Sequence, residues 1–275
     1  MLTMEQLYDV EKLQKEVEVF DKIELKLNWD MLRDRESDHF DFLHYENNEL
    51  IAFIGLYPFG STVEVTGMVK PRERRKGQFT RLFKKAMKSA GKIGYKRILL
   101  NAPSTAREAK SFLKKQNADY SFTEHQMKWR PRPLTVSYSE FKLRPTERKD
   151  ADLRIQLDML AFDLSEEDAL ANESNIINDP DTDLFMIEVN HKAIGKIQIY
   201  IEDNEAWIYG FSILPEFQGQ GIGSKVLRYL VQEQSKKGYS VHLEVETTNT
   251  NALGLYKAVG FTISHAQDYY IYKKA

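Results

Sequence analysis

From Trp207 to Phe261 the apolar positions change period several times. Trp207–Leu214 reads as a β-strand ended by a turn at Pro215. Ile222, Val226, Leu227, Leu230 and Val231 then recur at helical spacing, predicting a helix from Gly221 to Lys237 that Gly238 stops. Val241, Leu243 and Val245 alternate, predicting a strand over Tyr239–Glu246. A polar cap at Asn249, a short helix and Gly260 precede the next strand at Phe261. The alternation of strand and helix predicts a mixed α/β fold.

The junction of the first strand and helix carries Gln218-Gly219-Gln220-Gly221-Ile222-Gly223, of the form Q-x-x-G-x-G. Glycines leave no Cβ in the way, so backbone N–H groups of a helix start can close on an anion, and the helix dipole favours negative charge there. A diphosphate is the expected guest. A glycine turn between strand and helix is also common for purely structural reasons, so the loop alone is weak. The spacing does not fit the dinucleotide fingerprint, and no Gly-Lys-Ser/Thr occurs in the chain.

Downstream, the order L-x-V-x-x-x-N-x-x-A-x-x-L-Y-x-x-x-G-F runs from Leu243 to Phe261, after V/I-x-P-x-x-Q/R-x-x-G-x-G from Ile213 to Gly223. Together and in this order, the two segments resemble the GNAT acetyltransferase superfamily. That resemblance implies a mostly antiparallel central sheet flanked by helices with one splayed strand pair, and acetyl-CoA as co-substrate. It places the pantetheine along Phe211, Ser212, Ile213 and Leu214. The diphosphate then lies on Gln218, Gly219, Gln220, Gly221, Ile222, Gly223 and Ser224, with Asn249 and Tyr256 also at the cofactor.

An internal repeat sets the organisation. Pro71, Arg74 and Gly77 match Pro215, Gln218 and Gly221 at an offset of 144, which also pairs Gly94-Tyr95 with Gly238-Tyr239. Phe42–Tyr57 matches Phe185–Tyr200 at an offset of 143. The chain thus resembles two GNAT units in tandem. Residues 1–130 are read as the N-terminal unit, 131–138 as a linker entered through Arg130-Pro131-Arg132-Pro133, and 139–275 as the C-terminal catalytic unit. In the first copy Phe79 replaces Gly223 and Leu113 replaces Tyr256, and nothing matches Asn249 convincingly. The N-terminal unit is therefore expected to keep the fold without the chemistry, with Phe79 crowding its loop and Arg74, Arg75 and Lys76 offsetting that in part.

Composition narrows the chemistry. The absence of cysteine excludes disulfides, thiolate metal sites and a cysteine nucleophile, and the six histidines show no ligand pairing, so no metal is expected. No apolar run reaches membrane-spanning length and Met1–Val10 lacks a signal-peptide pattern, so a cytoplasmic protein, monomer or homodimer, is expected. Charge is uneven. Residues 1–133 hold 25 Lys/Arg against 19 Asp/Glu, and residues 134–275 hold 14 against 22. Lys70–Arg97 carries twelve basic residues, several along one predicted helix (Lys84, Lys85, Lys88, Lys92), which suits a solvated face. Against a nucleic-acid footprint stand the lack of aromatic interleaving and the slightly acidic chain as a whole. Asp158–Asp183 carries nine acidic residues and no basic one. In proteins of this resemblance that segment walls the acceptor site, where it would attract a small cationic amine, although a surface loop explains it equally.

Acetyl transfer to an amine needs the carbonyl stabilised, the ammonium deprotonated and the thiolate protonated. A backbone N–H within Phe211–Ile213 suits the first task. Tyr256, a phenol protonated at neutral pH, is the candidate acid, although its position also suits a packed core residue. For the base, Glu205 is placed ahead of Glu244 and Glu246; each could equally be a surface carboxylate, and water could take the proton. Two alternatives stay open. One is a catalytically silent acyl-CoA-binding regulatory or scaffold protein, and the other an acetyltransferase of a protein or nucleic-acid-associated substrate.

Overall fold

The computed structural model describes residues 1–35, 37, 39–135, 140–177 and 179–273. Residues 136–138 of the expected linker and residue 139 lie outside them. The chain divides into two compact units: unit 1 comprises Met1–Glu124 with His265–Ala275, and unit 2 comprises His125–Ser264.

Unit 1 opens with helix α1 (Met4–Asp21), whose first turn is closed by a capping box between Thr3 and Gln6. After α2 (Trp29–Arg33) come strands β1 (Asp41–Glu46), β2 (Glu49–Phe59) and β3 (Thr62–Val69). They form an antiparallel meander. Helix α3 (Gln78–Ile93) crosses over to β4 (Arg97–Pro103), which pairs parallel with β3. Helix α4 (Arg107–Leu113) leads to β5 (Ala118–Trp129).

Unit 2 repeats the plan. Strand β6 (Lys142–Pro145) precedes helices α5 (Ala151–Phe162) and α6 (Glu166–Ile176). The antiparallel strands β7 (Thr182–Val189), β8 (Lys192–Glu202) and β9 (Glu205–Ile213) follow. Helix α7 (Ile222–Lys236) crosses to β10 (Ser240–Glu246), parallel to β9, and α8 (Thr250–Val259) leads into β11 (Phe261–Tyr272). Two-residue turns join the hairpins at Asn47-Asn48, Asn190-His191 and Asp203-Asn204, with φ between 46° and 64° at all six residues. Asn and Asp tolerate that left-handed backbone, and its twist matches the strands it joins.

The units divide within β5 and β11 because of where the side chains pack. Met127 and Trp129 of β5 are buried in the core of unit 2 with Ile199, Ile208, Leu230 and Leu243. At the chain's end, Gln267–Ile271 of β11 pair antiparallel with Leu99–Pro103 of β4. Tyr270 is buried there with Val65, Phe83 and Leu100, in the core of unit 1. The sequence-derived helix and strand limits around the glycine loop agree with these elements to within two residues, the uncertainty normal for frayed ends.

Candidate active site

In unit 2, β9 and β10 pair from Glu205–Ser240 to Ile208–Leu243 and then part. The separation begins at a bulge. Register between β8 and β9 shifts between Lys196 and Gln198, opposite Gly210, whose φ is 55°. At this left-handed φ a Cβ on Gly210 would stand 2.7 Å from the Gln198 amide, so the position favours glycine. The extra residue resets the alternation. Ala206 and Ile208 face the core before it and Phe211 and Ile213 after it, while Ser212 is buried on the opposite face. The free edge of β9 thus presents Phe211–Ile213 toward the gap.

The gap ends at the glycine loop. Leu214 enters a 3-10 turn at Pro215–Phe217, and the Gln218 side chain donates back to the Ile213 carbonyl (2.7 Å), tying the loop to the strand. Gln220 donates to the Glu216 carbonyl (3.1 Å). Gly219 and Gly221 are left-handed, at φ 73° and 78°, and a Cβ on either would meet nothing within 4 Å, so their conformation rather than crowding selects glycine. Gly221 caps α7 without any side-chain hydrogen bond. The N–H groups at Ile222, Gly223 and Ser224 precede the first intrahelical bond, made by Lys225 to Gly221. An uncapped helix start behind an open loop is an anion cradle, and it fits a diphosphate.

Helix α8 closes the core side. Asn249 caps it by accepting from the Ala252 N–H (3.0 Å). Leu255 lies 3.5 Å from where a Gly223 Cβ would stand, which sets α8 against the start of α7. Tyr256 is buried, edge-on to Phe261 at 6.0 Å, and burial pushes its phenol up to about 12. Its hydroxyl makes no hydrogen bond among the described residues.

Glu205 lies elsewhere. It starts β9 at the paired end, six residues before Phe211, roughly 20 Å at strand rise. Its carboxylate accepts from Trp207 Nε1 (3.1 Å) and stands 3.3 Å from His242 Nε2. His242 also meets Ser240 Oγ (2.9 Å) and lies under the Trp207 ring. Desolvation holds its imidazole below the ordinary value against the pull of Glu205, and Lys128 adds to the lowering. The structure therefore sets Phe211–Ile213 and the glycine loop along the gap, packs α8 through Leu255 against the start of α7 with Asn249 as its cap and Tyr256 in the core, and sets Glu205 apart in a polar cluster. Glu244, half-buried, is the first β10 residue beyond the last pair with β9. Glu246 is exposed two residues further on.

The acidic segment is partly committed to structure. Asp158 forms a buried ion pair with Lys196 (2.6 Å) and accepts from Asn172 (3.1 Å). Glu173 pairs with the buried Arg154. Asp179 accepts from the Asp181 N–H (3.0 Å) and the Thr182 hydroxyl (2.6 Å). Asp163, Glu166, Glu167, Asp181 and Asp183 remain exposed. Sequence reasoning passed over Lys196 and Gly210. A lysine inside the apolar run Ala193–Ile201 and a glycine inside a strand were the available signals.

A parallel strand pair that splays around an uncapped, glycine-opened helix start, built twice in one chain, defines an acyltransferase-type fold. The model of the acetyltransferase (GNAT) family matches residues 4–117 and 151–261, and the chain belongs to that family. It is 36% identical over 78 residues to the [ribosomal protein bS18]-alanine N-acetyltransferase of Escherichia coli K12, covering 28% of this chain and 53% of that protein. A probable spermine N(1)-acetyltransferase of Bacillus subtilis subsp. natto is 32% identical over 86 residues, covering 30% of this chain and 57% of its own. The chain spans little more than half the length of these curated relatives. Among solved structures, a GCN5-related N-acetyltransferase from Sphaerobacter thermophilus superposes with a TM-score of 0.78 at 16% identity, over 96% of this chain and 91% of that one. A tandem GNAT protein from the clavulanic acid biosynthesis pathway gives 0.70 at 14% identity, over 97% and 94%. Both share the tandem fold's extent. Among the described residues no helix is long and apolar enough to cross a membrane, and no group of three or more His, Asp or Glu is placed to hold a metal.

Proposed function

We propose that unit 2 transfers an acetyl group from acetyl-CoA to a primary amine by direct attack in a ternary complex. The observation that carries this reading is the splay of β9 from β10, which runs into an open, uncapped helix start. Backbone groups of Phe211–Ile213 pair with the pantetheine amides, and N–H groups from Gly219 to Ser224 hold the diphosphate. The Leu214 N–H and C=O and the Gln218 N–H are already bonded to Ile194, Phe217 and Pro215. As the amine nitrogen bonds to the thioester carbon, an N–H within Phe211–Ile213 stabilises the carbonyl oxygen. When the C–S bond breaks, Tyr256 gives its proton to the sulfur; its raised pKa keeps that proton on the phenol throughout the neutral range. Glu244, at the mouth of the splay, takes the ammonium proton directly or through water. Glu205 then acts at a distance, by orienting His242 and Trp207. With no cysteine in the chain, direct attack needs no thioester on the enzyme.

Two relatives whose names give a ribosomal-protein alanine and spermine as acceptors support a primary amine. The exposed carboxylates Asp163, Glu166 and Glu167 favour a small cationic one. Thermal unfolding with and without acetyl-CoA tests the reading. At about a hundred times the dissociation constant, stability should rise by about 2.7 kcal/mol. The double variant Gly221→Glu/Gly223→Glu should still unfold cooperatively, at a lower baseline because Gly221 is left-handed, and show no such rise. A wild-type chain that acetyl-CoA leaves unshifted removes the proposal. A shift without thiol release across an amine panel supports a silent acyl-CoA-binding protein instead.

A further inference from the structure

A cavity of about 610 Å³ lies in unit 1 between β3, β4, α3 and α4. We infer that it is a second, non-transferring site that binds an acyl chain carrying an anionic head. Three features of unit 1 alone support this, and none depends on the role proposed for unit 2.

The frame of a binding site is intact. Strands β3 and β4 pair from Thr62–Arg97 to Val65–Leu100 and then part, leaving Gly67–Val69 and Asn101–Pro103 along the cavity. The loop keeps the backbone of its counterpart in unit 2. Gly77 has φ 81° and ψ −6°, against 78° and −1° at Gly221, and Arg75 is left-handed at 65° where Gly219 has 73°. Arg74 repeats the tie made by Gln218, donating through Nε to the Val69 carbonyl (3.3 Å). Phe79 does not crowd this loop. Its ring turns onto β3, with Cζ 2.7 Å from where a Gly67 Cβ would be. Unit 2 holds the same two positions in reverse, as Phe211 and Gly223, so bulk has moved from strand to helix at constant volume.

The interior is apolar. Its lining includes Ile54, Val65, Phe83 and Leu100 from the core, and Phe79 and Phe112 meet edge-on at 5.0 Å. Leu113, where unit 2 has Tyr256, removes the phenol, so a thioester bound here meets no acid.

The rim is cationic. Arg75, Arg107 and Lys115 line the cavity without an ion-pair partner among the described residues, whereas Arg74 is held by Asp21 (2.5 Å) and Glu108 (3.3 Å). Cations suit an anionic head. The head is therefore either a free carboxylate or the phosphates of a CoA thioester.

Calorimetric titration of the full chain carrying Gly223→Glu, which blocks the loop of unit 2, separates the two sources. The probes are decanoate, decanoyl-CoA and CoA. Binding of decanoate identifies the free acid as ligand; binding of decanoyl-CoA at least tenfold tighter than CoA, without decanoate, identifies the thioester. In either case Arg75→Glu/Lys115→Glu, both at the solvent rim, should weaken binding tenfold or more with the circular dichroism unchanged. Ala109→Trp, which fills the cavity from α4, should abolish it. Binding of neither acyl probe, equal binding of CoA and decanoyl-CoA, or indifference to the rim variants overturns the inference.

Discussion

Tyr256 and His242 show how burial sets a side chain's protonation. The Tyr256 phenol, raised to about 12 by desolvation, keeps its proton across the whole working range. Tyr256→Phe should lower kcat by about a hundredfold or more, the usual contribution of a general acid, with acetyl-CoA affinity unchanged. Steady-state rates beside calorimetry would show that split. His242 shifts in the opposite direction because burial disfavours its charged form. Its folded pKa lies below its unfolded one, so the unfolded chain binds more protons as pH falls through about 6.5. Stability should therefore drop as pH is lowered from about 7 toward 5, and His242→Gln should flatten that slope in urea titrations. Both residues were visible in the sequence, but only Tyr256 stood in a recognisable motif. The tie of His242 to Glu205 depends on the register Ser240–Glu205, which no local pattern encodes.

At the scale of elements, helix α5 is joined to strand β8 by the Asp158–Lys196 pair, with both side chains at most 3% exposed. A buried pair repays its desolvation poorly, but removing one partner strands the other. Lys196→Met should destabilise the protein by about 3–5 kcal/mol, while Lys196→Met with Asp158→Leu should recover much of the loss. Chemical denaturation of the three chains would decide it. The helix, strand and cap sequence from Trp207 onward was legible because its periods are clean and its breakers stand at the ends. The acidic run Asp158–Asp183 was not, because charge count does not say which carboxylates turn inward. Lys196 and Arg154, distant in sequence or on another face, make that choice. Phe79 teaches the same lesson: a bulky residue in a glycine position reads as an obstruction until Gly67 is seen beneath its ring.

For the whole molecule, the partition of β5 and β11 between the units has a direct consequence. Tyr269 and Tyr270, 1% and 5% exposed, belong to unit 1 although they close the sequence. A chain ending at Ser264 should lose the strand beside β4 and leave Leu99–Pro103 as an unpaired edge. We expect unit 1 to lose cooperative unfolding in that truncation, read as loss of hydrogen-exchange protection in β3 and β4. A fragment of residues 1–130 should fail to fold for the same reason. The sequence by itself determined the tandem repeat, the family, the glycine loop and the cap at Asn249, because these rest on local backbone demands and short spacings. Tertiary structure alone decided which carboxylates are buried, where Glu205 lies relative to the splay, and that unit 1 keeps an open cavity. It also assigned the last strand to the first unit, since those outcomes depend on contacts between residues far apart in the chain.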